Sequence, residues 1–165
     1  MSEKKLTNES KHTFPTIEGS SLEGKEYSFP KGGDTAYSIL LVAFWRSQQS
    51  EVDTWIPFLK NLEDKHQDVK FYEIPIISTG FIWMKSIIDG GMRAGIPDKS
   101  ARERTITLYT YKKSLLKDMG VKKQDHIAVY LINREGDILW NQRGAFTTEK
   151  GKELTSRVTE LPKSP

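Results

Sequence analysis

The run Ser38-Ile-Leu-Leu-Val-Ala-Phe-Trp45 constrains this chain more than any other segment. It is apolar on consecutive positions, not alternate ones. A strand of that kind has to be buried on both faces, which happens inside a sheet covered by helices above and below. The residues after it change period. Val52, Trp55, Ile56, Leu59 and Leu62 recur at helical spacing, with Ser50 as the expected N-cap and Glu51 and Asp53 acidic in the first turn. Pro57 should kink that helix. Val69 to Ile77 is a second strand, so the chain begins a strand–helix–strand unit whose crossover is right-handed.

The rest of the layout follows from punctuation. Residues 1–12 read as a flexible polar arm, and residues 13–162 as one domain. Leu22 to Phe29 is a hairpin turning at Gly24, and Pro30 to Asp34 a loop. Phe81 to Ile88 is a helical stretch that Gly90-Gly91 should stop, followed by a basic loop over 92–104. Thr105 to Tyr109 is short and extended, and Lys112 to Met119 a short helix ending at Gly120. His126 to Asn133 is again a continuous apolar strand, turned by Arg134-Glu135-Gly136 into Asp137 to Gln142. Thr147 or Thr148 caps a last helix reaching about Leu161. The expected fold is α/β, a central mixed sheet with helices on both faces, carrying an insertion at about 79–123.

Phe44-Trp45, the polar stretch after it and the proline-bearing helix resemble the start of the thioredoxin-like fold, as found in secreted or membrane-tethered thiol oxidoreductases. There, a Cys-x-x-Cys pair opens the helix. Aligned on Phe44-Trp45 and Pro57, the two cysteine positions fall on Gln49 and Val52, and the chain contains no cysteine at all. Thiol–disulfide exchange needs a thiolate nucleophile, so this chain cannot perform it, nor a thiol peroxidase reaction. The proline that such folds place in cis before the penultimate strand is matched here by Ile127. A cis bond before a residue other than proline costs about 2.5–4 kcal/mol, so a trans bond is expected.

The C-terminal hairpin narrows the resemblance. Tyr130, Leu131, Ile138, Trp140, Gly144 and Thr148, with Tyr72-Glu-Ile-Pro75 and Trp55-x-x-Phe58-Leu59 upstream, look similar to the mitochondrial ATP synthase assembly factors of thioredoxin-like fold. That likeness implies a chaperone for a membrane-embedded subunit, not a redox enzyme. Asn133 and Leu139 depart from it, since the family prefers Asp and Arg there, and an organelle-targeting segment is missing from the sequence. A relative with a different client fits these departures equally.

Composition then limits the partners. Net charge is only +3, yet Lys85 to Lys123 holds ten Lys or Arg against four Asp or Glu. Such a face could attract anionic lipid, an acidic protein or nucleic acid. The expected reading is a protein partner, such as a membrane-complex subunit, with peripheral membrane contact and no DNA. The expected contact residues are Trp45, Arg46, Gln48, Gln49, Phe81, Trp83, Met84, Arg93, Arg102 and Arg104, although Phe81 to Met84 could equally be core beneath the insertion. A rival reading makes the domain an enzyme of non-thiol chemistry using Arg46, His126 and nearby carboxylates. His12, His66 and His126 lack the spacing of a metal site, and neither metal nor cofactor is expected. Asp89-Gly-Gly-Met-Arg-Ala-Gly95 follows a helix rather than a strand, so it is not a dinucleotide fingerprint. No apolar run reaches the ~20 residues of a membrane span. With no secretion signal at the N-terminus, a cytoplasmic protein, at most peripheral to a membrane, is the expected setting.

Overall fold

The computed structural model describes residues 13–163. The arm expected over residues 1–12, and with it His12, lies outside them. Strands β1 (Ile17–Ser21) and β2 (Glu26–Phe29) form the expected hairpin around Gly24, whose φ of 87° suits glycine. Its first strand begins earlier than the sequence indicated. After a loop, β3 (Tyr37–Ala43) leads through a short 3₁₀ turn over Arg46–Gln48 into α1 (Gln49–Lys65). Ser50 therefore sits inside the helix and does not cap it. The helix runs on past Pro57 to Lys65.

β4 (Val69–Ser78) is followed by a 3₁₀ segment, Thr79–Met84, and by α2 (Lys85–Gly95). Gly90-Gly91 does not stop that helix. A glycine terminates a helix by taking a positive φ, and neither of these does. The expected loop after it is in fact part helix. Asp98 caps α3 (Lys99–Arg104), its carboxylate accepting from the Ser100 backbone N–H at 3.1 Å. Then come β5 (Ile106–Thr110), α4 (Lys112–Asp118), β6 (Ala128–Asn133), β7 (Ile138–Arg143) and α5 (Thr148–Thr159). Thr147 is the cap of α5, its hydroxyl accepting from the Lys150 N–H.

All seven strands join one mixed sheet in the order β2-β1-β5-β4-β3-β6-β7. The segment read as an insertion is thus not an appendage, because β5 lies inside the sheet, parallel to β4 and antiparallel to β1. β3, β4 and β5 run in one direction, β6 returns antiparallel beside β3, and β7 pairs antiparallel with β6 at the sheet edge.

The double-sided burial of β3 follows the pleat. Leu40, Val42 and Phe44 face one core with Tyr72, Ile74, Tyr130 and Ile132, closed by Leu115 and Met119 of α4 and by Phe14, Tyr27 and Phe29. Ile39 and Leu41 face the other with Phe71, Val129 and Leu131, closed by Val52, Trp55, Leu59 and Leu62 of α1 and by Leu154 and Val158 of α5. Trp55 is fully buried there among Phe58, Trp140 and Phe146, and its indole N–H donates to the Gly144 carbonyl at 3.0 Å.

Candidate functional site

Because β3, β4 and β5 are parallel, their carboxyl ends fall on one edge of the sheet. In open α/β sheets this is the edge where ligands bind. It is also where the aligned redox positions lie. Gln49 opens α1 in solvent, while Val52 is only 2% exposed and packs in the core. Between them, Glu51 reaches the loop before β6. One carboxylate oxygen accepts from the Ile127 N–H at 2.9 Å, and the other meets His126 Nδ1 at 2.6 Å. Burial works against the charged form of Glu51, but those two bonds outweigh it and hold the carboxyl below its ordinary pKa. Ile127 is fully buried, and the one cis bond among the described residues is Phe29–Pro30, so the bond before Ile127 is trans as expected.

Gln48, expected to contact a partner, is instead a buried staple. Its amide oxygen accepts from the Phe44 and Trp45 N–H groups at 2.8 and 3.3 Å, and its amide nitrogen donates to the Gln124 carbonyl at 2.7 Å. Gln49 divides its amide between Asp53 (2.9 Å) and Glu73 (3.3 Å). Glu73 also accepts from the Thr105 hydroxyl at 3.3 Å. Burial pushes its carboxyl above the ordinary value against both bonds. Sequence reasoning passed over Glu51 and Glu73, since nothing in their local pattern shows which distant element they will meet.

The outer part of this edge is apolar. Trp45 follows β3, Phe81, Ile82 and Trp83 follow β4, and Tyr111 follows β5; all are exposed, as is Ile87 on α2. The question of whether Phe81 to Met84 is core is thereby answered: Phe81 to Trp83 face solvent and Met84 is half-buried. Trp45 is held in place by Lys112, whose ammonium lies 3.9 Å from the indole ring and donates to the Phe44 carbonyl at 2.7 Å. Burial lowers the Lys112 pKa. Tyr111 and Ile87 were not among the expected contacts, although Tyr111-Lys112-Lys113, directly after a short strand, was a legible signal.

The expected basic contacts fare differently. Arg46 is exposed on the 3₁₀ turn. The other three guanidinium groups are engaged within the fold. Arg93 donates to the Leu22 carbonyl at 2.8 Å, and Arg102 pairs with Glu23 and the carbonyls of Ile96 and Pro97. Arg104 pairs with Glu63 at 2.8 Å and lies 3.9 Å over the Phe71 ring. These residues tether α2 and α3 to the β1–β2 turn and to α1.

Two cavities lie away from this edge. One, of about 590 Å³, sits between the end of α1, the start of β4 and the end of α5, and is lined by Tyr37, His66, Asp68 and Leu161. The other, of about 430 Å³, lies between α1 and α5 against Phe58 and Phe146. Among the described residues, no helix is long and apolar enough to cross a membrane.

No family model and no curated protein matches the chain by sequence. Solved structures do match by shape. StoA from Bacillus subtilis aligns over 88% of this chain and 98% of its own at 15% identity, with a TM-score of 0.55. BsSco, a member of the Sco family of cytochrome c oxidase assembly proteins, aligns over 92% and 96% at 13% identity, TM-score 0.57. The exposed lipoprotein thioredoxin of Streptococcus pneumoniae aligns over 89% and 100% at 16% identity, TM-score 0.56. The chain has the thioredoxin-like fold, and it has no cysteine.

Proposed function

We propose that this protein is a redox-inactive thioredoxin-like domain that binds instead of catalysing, and that its partner is a subunit of a membrane complex awaiting assembly. The observation that carries the reading is a substitution of character at one edge. Where the fold would present a thiol pair, this chain has Gln49, a buried Val52 and the Glu51 latch, and beside them exposed Trp45 and Tyr111. Large aromatics fixed at a surface by neighbouring groups suit protein recognition, because they bury much area and lose little conformational freedom on binding. The hairpin likeness to ATP synthase assembly factors favours a membrane-complex client. The neighbour BsSco, titled an assembly protein of another membrane complex, is in keeping with it. The setting this implies is cytoplasmic, at a membrane surface.

The test is affinity isolation from detergent-solubilised membranes, followed by rebinding of the purified partner to wild type, Trp45→Ala and Tyr111→Ala. The expected result is a membrane-complex subunit whose affinity falls about tenfold or more in each variant, as for central aromatic contacts. Variants that bind as well as wild type, or a wild type that retains no such subunit, would contradict the reading.

A further inference from the structure

The segment 79–95 turns large apolar residues outward as well as inward. Neither the 3₁₀ segment Thr79–Met84 nor α2 contributes a buried residue. Surface helices usually turn an apolar stripe to the core and polar residues to water. Here Met84, Ile88 and Met92 are only half-buried, and polar residues share in the attachment. Asp89 accepts from the Tyr109 hydroxyl at 2.8 Å and from Thr107, and pairs with Lys85, while Arg93 reaches the Leu22 carbonyl. The exposed positions include Trp83, Ile87, Gly90, Gly91 and Ala94, spaced three or four apart, with Phe81 and Ile82 beside them and Ser86 and Arg93 as the exposed polar residues.

Cations outnumber acids in the loops on this side, although Glu51, Asp53, Glu73 and Asp118 border them. Phe44–Ser50, residues 79–88 and residues 110–117 carry Arg46, Lys85, Lys112, Lys113 and Lys117 and not one acidic residue. Asp89, the sole acid between residues 79 and 97, faces the sheet through its bonds to Thr107 and Tyr109. Trp83, 78% exposed, protrudes from this surface. A protruding Trp with Phe and Ile, at a sheet edge whose neighbouring loops carry Arg46, Lys112 and Lys113, has the composition of a membrane-interfacial anchor.

We propose that Phe81, Ile82, Trp83 and Ile87 insert into the headgroup region of an anionic phospholipid bilayer, with Arg46, Lys112 and Lys113 against its phosphates. This deepens the membrane setting of the partner reading, and its test is separate from that of the partner, since the detergent experiment contains no bilayer.

The test uses the full chain with vesicles of phosphatidylcholine alone or with about one-third phosphatidylglycerol, a fraction that sets the negative surface potential. Binding is expected to be about tenfold or more tighter to the anionic vesicles, as two or three cations near the surface would give, and to weaken as salt rises. Trp83→Ala and Ile87→Ser should each remove most of it, and Lys113→Gln should weaken it severalfold. None of these side chains is buried, so the variants should keep the wild-type circular dichroism. Wild-type tryptophan emission should shift to the blue on binding, and Trp83→Phe should bind without that shift. No binding to either vesicle, or binding that Trp83→Ala leaves unchanged, would overturn the proposal. So would concentration-dependent dimers lost in Trp83→Ala without vesicle binding, which would show that a second copy covers the face.

Discussion

Glu51 and Glu73 show how two carboxylates at one sheet edge take opposite roles. Glu51 has a lower pKa folded than unfolded. Its bonds to His126 and Ile127 therefore contribute stability in full above about pH 4.5, its ordinary value, and lose it as the pH falls through the folded pKa. Glu73 has a higher pKa folded than unfolded, so its ionisation costs stability as the pH rises past 4.5. Glu51→Gln should thus lower stability at pH 7 by about 1 kcal/mol, the worth of one such hydrogen-bonded contact, and by less near pH 4. Glu73→Gln should raise stability at pH 7, with the gain shrinking toward pH 4. Urea unfolding of both variants at the two pH values checks the signs. None of this was legible in the sequence, because Glu51 meets partners 75 and 76 residues away. The empty redox positions Gln49 and Val52 were legible, because a missing cysteine needs no tertiary information.

At the scale of elements, legibility followed burial. β3 and β6 declared themselves because a strand covered on both faces must be apolar throughout. The full extent of α2 and the presence of α3 did not, because polar contacts help fix them. Asp98 caps α3 after a stretch that reads as loop, and Gly90-Gly91 lies within a helix secured through Asp89 and Arg93. α2 should accordingly be the loosest helix. Asp89→Ala, which releases Tyr109, Thr107 and Lys85, should speed amide exchange across residues 79–95 well ahead of the sheet. Gly90→Ala should do the opposite. Nothing lies within 4 Å of the added methyl, and replacing an exposed mid-helix glycine strengthens the helix by about 0.5–1 kcal/mol. Exchange mass spectrometry of the two variants against wild type reads both effects. If Asp89→Ala left exchange in 79–95 unchanged, the polar attachment would not be what holds α2.

At the scale of the molecule, the two cores leave one edge for work. α1, α4, α5 and the N-terminal hairpin close the faces of the sheet, and the carboxyl ends of β3, β4 and β5 carry the exposed aromatics. Composition had placed a binding face on the arginines of 93–104. Their acidic partners Glu23 and Glu63 lie 79 and 41 residues away in the chain, so nothing local showed that they were engaged. Docking of a partner at this edge can be read by site-specific photo-cross-linking. The photoreactive residue p-benzoylphenylalanine would replace Trp45 or Tyr111 at this edge, or Gln67 at the opposite end where α1 hands over to β4. Positions 45 and 111 should yield adducts with the same membrane-complex subunit, and position 67 none. Adducts from Gln67 alone, or none from Trp45 and Tyr111, would contradict docking at this edge.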